Sequence, residues 1–265
     1  MRAITRHPES RRSKALATLG AQVIEADMGE VGTLIRAFEG ASGIFSVQNF
    51  WELGLAAEVR LGTNVINAAR AVGRPHLIYG SGLGAEQHQG VPAIDGKAIL
   101  EERLRESGIP FTILRPALFM DDFRGASLPF APMLQRLLKA HRHLVGRLFL
   151  SVLRDSFPRD RPVPLTTLRN MAQLAVWGWE NQRDSQGNAY TLIGDLVLPK
   201  ALCTMWSEAT RQPIPNIPGI RMGLRLGLPQ MARLLAWLSR NIFIVTEAPF
   251  HLHSYQEWLH STVRH

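Results

Sequence analysis

Arg6, in Arg2-Ala-Ile-Thr-Arg6-His7-Pro8, ends a short β-branched run and precedes a turn. The carboxyl edge of a doubly wound sheet is where such folds take ligands, and a guanidinium there pairs with phosphate through its planar fork. No acidic residue at that strand end competes for ribose hydroxyls, so the pattern favours NADP over NAD; the plain alternative is a solvated arginine. Glu25-Ala-Asp27-Met28 ends the next strand, where Asp27 can accept from an adenine amino group or cap a following helix. In Ile44-Phe-Ser-Val-Gln48-Asn49-Phe50-Trp51-Glu52 an apolar strand runs into amide and aromatic groups. Gln48 and Asn49 can hydrogen-bond a nicotinamide ribose or carboxamide with Phe50 beside the ring, the alternative being a loop anchored by Trp51. Ser81 closes the strand His76-Leu-Ile-Tyr79-Gly80, and Lys97, in Asp95-Gly-Lys97, opens a helix.

Other reactive side chains point to less. His141-Arg-His143 and His251-Leu-His253 place imidazoles two residues apart, which diverge on a helix, and no carboxylate or cysteine cluster completes a metal site. Cys203, the single cysteine, lies in the apolar Ala201-Leu-Cys203-Thr-Met-Trp206, so it reads as a packed small hydrophobe and excludes an intramolecular disulfide. The net charge of +8 and pI near 10.5 come from scattered basic residues without aromatic interleaving, which argues against direct nucleic-acid binding. No apolar run reaches membrane-span length and no signal-peptide core opens the chain, which together suggest a cytoplasmic protein.

The elements that must position these groups alternate in the pattern of a parallel sheet covered on both faces. Strands are expected at residues 2–5, 22–26, 43–47, 76–80 and 111–115, with helices at 10–19, 31–38, 58–71 and 96–106. Each helix is followed by a glycine at its stop: Gly20, Gly40, Gly73 and Gly108. The fold class is therefore α/β, a Rossmann-like doubly wound sheet over residues 1–123. Residues 124–265 form a small C-terminal substrate lobe and lid, with elements returning to the sheet. Its pieces are helical patterns at 134–153, 168–180 and 222–240, short strands at 161–165 and 189–194, and a closing segment at 254–259. The basic, apolar stretches 134–153 and 222–240 suit helices over a substrate cleft; a membrane interface is the alternative. A cleft built from the Leu, Met and Trp of this half would take an apolar or aromatic acceptor.

Taken in order, Arg2 to Pro8, the 21–27 segment, Asn49-Phe-Trp-Glu52, His76-Leu-Ile-Tyr79, Asp95-Gly-Lys97 and Thr112-Ile-Leu-Arg-Pro116-Ala-Leu-Phe119-Met120 resemble the NmrA-like family, an atypical branch of the short-chain dehydrogenases. Gly187-Asn-Ala-Tyr-Thr-Leu-Ile-Gly194 and residues 255–259 extend the resemblance to nearly the whole chain. It implies NADP(H) binding and a role as a reductase of quinone-like or azo acceptors. The alternative is a redox sensor or transcriptional co-regulator that binds a regulatory protein. By matching position, Arg6 would face the 2′-phosphate, Asp27 and Met28 the adenine, and Gln48, Asn49 and Phe50 the nicotinamide side. Lys97 would hold the ribose, and Phe119, Met120, Asp121 and Asp122 would line the cofactor and substrate cleft.

Three departures accompany the resemblance. Ser81 and Lys97 occupy the places where short-chain dehydrogenases hold serine and lysine, which makes them candidates for catalytic and ribose-binding groups, but that chemistry also uses a tyrosine four residues before the lysine as proton donor, and position 93 is alanine. Where family members often carry Thr-Asn, this chain has Gln48-Asn49. The family opens with a strand and a Gly-x-x-Gly-x-x-Gly turn that holds the pyrophosphate, and Met1 falls where the second strand begins. Residues 1–265 are thus expected to be an N-terminally truncated frame whose first βα unit is missing, leaving two strands without their central partner. Dinucleotide binding by these residues is expected to be weakened, in the extreme lost.

Overall fold

The computed structural model describes residues 1–87, 89–124, 142–243 and 248–263. The first strands form where the β-branched runs lie: β1 (Arg2–Thr5) pairs in parallel with β2 (Gln22–Glu25), Thr5 opposite Glu25. Between them α1 (Arg11–Thr18) begins at Ser10, whose Oγ accepts the Ser13 N–H at 3.2 Å, and is followed by Gly20 at φ 87°. Then come α2 (Val31–Phe38), β3 (Gly43–Ser46), α3 (Phe50–Ala71), β4 (His76–Gly80), α4 (Pro92–Glu106) and β5 (Phe111–Pro116). Helix α3 runs eight residues further upstream than its apolar periodicity indicates. It starts at an Asn49 cap and is interrupted at Gly54, whose φ of 75° only glycine adopts without strain.

The chain divides into two compact units, each discontinuous in sequence: Met1–Ser81, Gly96–Ile113 and Trp177–Ala189 in one, Gly82–Asp95, Leu114–Val176 and Tyr190–His265 in the other. In the first unit α2 buries Leu34, Ala37 and Phe38, an i, i+3, i+4 stripe, against Ala26 and Ile44 and against Val65 and Ala69 of α3. Strands β3 and β4 pair in parallel, and the strand order of the larger sheet is β3-β4-β5-β8, where β8 is Ala189–Leu192. Among the described residues β1 and β2 form a sheet of their own. Ile24 of β2 and Ile44 of β3 pack in one apolar cluster, yet no ladder joins β1 or β2 to β3.

The second unit begins with the loop after β4 and contains β6 (Leu118–Phe119), a 3₁₀ turn (Met120–Arg124), α5 (Arg142–Ser156) and β7 (Val163–Thr166). It continues with most of α6 (Leu168–Glu180), then β9 (Asp195–Val197), α8 (Pro199–Thr210), α9 (Ile220–Gly227), α10 (Pro229–Leu238) and α11 (Tyr255–Val263); the short α7 (Gln182–Ser185) lies in the first unit. The expected helix at 222–240 is two helices, because Pro229 starts a new one at its first turn. Of the expected helix at 134–153, residues 134–141 lie outside the described residues. An aromatic core of Phe123, Phe149, Trp206, Tyr255 and Trp258 holds this unit, with Tyr255 stacked on Trp258 at 6.0 Å and the Tyr255 hydroxyl donating to the Leu202 carbonyl. In α10, Trp237 lies against Gly84 and donates from Nε1 to Gln89 Oε1 at 3.0 Å. That seats the helix on Gly84 and Gln89, between β4 and α4.

Candidate functional site

In the first unit the carboxyl ends of β1 and β2 are level, because the Ala26 N–H donates to the Thr5 carbonyl at 3.1 Å. Arg6 follows there with its side chain exposed. Asp27 follows β2, and its Oδ1 accepts the Gly29 N–H at 2.7 Å while its own N–H donates to Thr33 Oγ1 at 3.0 Å. The carboxylate therefore shapes the turn into α2. Its backbone neighbour Met28 is tied to α3 by Asn64 Nδ2, which donates to the Met28 carbonyl at 2.9 Å. This end of the strand pair thus presents one cationic donor, the Arg6 guanidinium, which can pair with a phosphate, and one acceptor, the Asp27 carboxylate, which can meet an adenine amino group.

Of the residues assigned to the nicotinamide side, Gln48 and Phe50 are buried in this unit and Asn49 is exposed. Gln48 is 3% exposed; its Nε2 donates to Ser46 Oγ at 2.8 Å and lies 3.8 Å from Met28 Sδ. Asn49 spends its side-chain oxygen on the Trp51 N–H at 3.1 Å, as the cap of α3. Phe50 is buried edge-to-face on Trp51, centroids 5.2 Å apart. Gln48 and Tyr79 both line a small cavity with Ser46, Gly62 and Leu100. There Gln48 Oε1 and Tyr79 Oη are buried without a hydrogen-bond partner among the described residues.

Beside this cavity runs a buried line of ionisable groups. Lys97 Nζ donates to Glu58 Oε1 at 3.0 Å, and Ser81 Oγ donates to Glu101 Oε1 at 2.6 Å. Arg105 pairs with the other Glu101 oxygen at 3.1 Å. Glu58 and Glu101 are both 0% exposed. Burial raises the Glu58 carboxyl above its usual range, opposed by the Lys97 ammonium, and burial together with the two carboxylates pushes the Tyr79 hydroxyl up. Neither Ser81 nor Lys97 faces a tyrosine at position 93, where a buried alanine stands. Sequence reasoning singled out Lys97 and Ser81 but missed both of their carboxylate partners.

In the second unit Phe119 is half-buried and Met120 is fully buried, and Leu118 and Phe119 pair with Leu165 and Thr166 of β7. Asp121 Oδ2 accepts the Leu168 N–H at 2.9 Å and so caps the start of α6. The Asp122 carboxyl is pushed up to about 7 by burial and then by the neighbouring Asp121 charge. Elsewhere in this unit Cys203 is buried, its thiol pushed up to about 11 by burial, which disfavours the reactive thiolate. His251 pairs with Glu257 at 2.9 Å, and Glu257 and Ser254 exchange hydrogen bonds as a capping box opening α11. The His141 and His143 side chains lie outside the described residues. Among the described residues no helix is long and apolar enough to cross a membrane.

Residues 1–217 match the NmrA-like family model. The NmrA-like family domain-containing oxidoreductase himF of Aspergillus japonicus is 34% identical over 132 residues, which cover 46% of this chain and 40% of that protein. Quinone oxidoreductase 2 of Escherichia coli is 33% identical over 129 residues, covering 49% and 43%. The chain thus spans well under two thirds of the length of either relative. The crystal structure of Citrobacter sp. triphenylmethane reductase complexed with NADP(H) superposes at a TM-score of 0.69 with 18% identity, covering 98% of this chain and 89% of that one. At that identity the likeness speaks for the fold, a Rossmann-like α/β sheet. With the family match running over most of its length, the chain belongs to the NmrA-like family.

Proposed function

We propose that this protein binds NADP(H) and reduces conjugated, quinone-like or azo acceptors. The observation that carries the reading is Arg6, an exposed guanidinium at the carboxyl end of a parallel strand pair with the Asp27 turn beside it. In that position it would pair with the 2′-phosphate, and Asp27 and Met28 would meet the adenine. Lys97, the partly exposed cation of the buried line, would donate to ribose hydroxyls. A bound nicotinamide supplies the hydride. Because residue 93 is alanine, the tyrosine acid of the short-chain dehydrogenases is missing from its usual position, which suits acceptors whose reduction needs no carbonyl oxygen protonated by the protein in the same step.

The names of two proteins similar to this chain, quinone oxidoreductase 2 and triphenylmethane reductase, agree with an aromatic acceptor. The test is NADPH oxidation followed at 340 nm across a panel of benzoquinones, naphthoquinones and azo dyes. Turnover above the uncatalysed rate with at least one class is expected. Binding of NADPH without turnover of any acceptor would remove the reductase.

A second reading, a non-catalytic NADPH/NADP sensor for a regulatory protein, is favoured by Ala93 and by the inward engagement of Gln48. It requires a partner whose capture depends on whether NADPH or NADP is present. Equal capture with both would exclude it.

A further inference from the structure

We propose that Glu58 is the positioning residue for Lys97. Sealed inside the first unit, it holds the ammonium through one oxygen and leaves the remaining ammonium hydrogens for ligand hydroxyls; this rests on the reading of Lys97 as a ribose-binding group. The side chains differ in access: Glu58 is 0% exposed and Lys97 16%, so solvent and ligand reach the cation and not its partner. Their contact is 3.0 Å, between Nζ and Oε1. The other oxygen, Oε2, is buried without a hydrogen-bond partner among the described residues. An apolar side chain of similar size would fill that volume without leaving an acceptor unsatisfied, so packing alone gives no reason for a carboxylate here.

Gly96 supplies an independent observation. A Cβ at that position would lie 2.5 Å from Glu58 Oε2 and 3.0 Å from Leu55 Cδ1. Glycine inside a helix is unfavourable relative to alanine, yet α4 carries one directly before Lys97. Two locally costly choices, a half-satisfied buried carboxylate and a helical glycine, thus serve one geometry, the approach of Glu58 to Lys97. The 39-residue separation between the two residues means that α3 and α4 must pack in register to bring them together.

The test compares wild type with Glu58→Gln, Glu58→Leu and Lys97→Met. Acetylation by N-hydroxysulfosuccinimide acetate, mapped by mass spectrometry, reads the hold on Lys97 without any cofactor. NADPH affinity by calorimetry reads its consequence, and thermal melts report folding. In wild type Lys97 should acetylate about 10-fold more slowly than the exposed Lys200, and Glu58→Leu should remove most of that protection. Glu58→Gln, which keeps an acceptor, should bind NADPH within about threefold of wild type, whereas Glu58→Leu and Lys97→Met should each lose about 10-fold. The proposal is overturned if Lys97 in wild type reacts as fast as Lys200, or if Glu58→Leu binds NADPH like wild type while Lys97→Met does not. If Glu58→Leu fails to fold, acetylation of wild type against Glu58→Gln decides. If wild type itself binds no NADPH, the cofactor reading of the site falls, and the acetylation result still decides whether Glu58 holds Lys97.

Discussion

Arg6 and Gln48 show how differently single residues can be read from a sequence. The position of Arg6 was legible because the strand ends where the β-branched run stops, and the role proposed for it depends only on standing past that end. Replacing it by alanine should weaken NADPH binding about 10-fold or more and leave NADH binding within about twofold, measured by parallel titrations, because only the 2′-phosphate loses a charge-assisted pair. The direction of Gln48 was also written in the sequence, by alternation. Ile44, Ser46 and Gln48 are 8%, 7% and 3% exposed, while Phe45 and Val47 are each 51% exposed, so the amide continues the inward face of its strand. Reading residue type before strand parity obscured this. Asp122 gives a pH signature. Its folded carboxyl sits at about 7 against an ordinary 3.8, so the stabilisation it contributes is complete below about pH 4 and is lost as pH rises through 7. Asp122→Asn, neutral throughout, should gain stability relative to wild type between pH 4.5 and 8 by roughly 2–4 kcal/mol, read from urea unfolding at both pH values. A constant difference between the two proteins would show that Asp122 titrates normally.

At the scale of elements, turn chemistry gave the boundaries and tertiary contact gave what the boundaries miss. Strands β1 and β4 and helix α2 begin and end where the β-branched runs and the stop glycine Gly40 indicate. Helix α3 extends beyond its apolar stripe because the Asn49 cap and the Gly54 break operate upstream of any buried periodicity. The pairing of Glu58 with Lys97 was hidden for a different reason: 39 residues and two helices separate them, and neither side chain looks unusual in its own helix. Close approach between elements makes a sharp prediction at Gly146. A Cβ there would fall 1.6 Å from the Phe123 carbonyl oxygen, so α5 lies directly on the backbone of the 3₁₀ turn. Gly146→Ala would raise helix propensity by up to about 1 kcal/mol at an open site, but here it should destabilise by about 3 kcal/mol or more. Chemical denaturation checks the sign, and a stabilised variant would mean that α5 does not touch the turn.

For the whole molecule, composition and alternation made the α/β class and the family legible, since both rest on the order of many weak signals across the chain. Among the described residues the β1–β2 pair and the larger sheet share an apolar cluster through Ile24 and Ile44 with no ladder between β2 and β3. Arg6 and Asp27, the groups proposed for the adenosine end, follow β1 and β2, and Lys97 pairs with Glu58 between α4 and α3. The proposed NADP(H) site draws on both groups of residues. The direct measurement is calorimetric titration of residues 1–265 with NADPH and with NADH at moderate salt. Saturable binding of NADPH, about 10-fold or more tighter than NADH, is the expected result. Absence of saturable binding at roughly 1 mM, or equal affinity for the two cofactors, would contradict it.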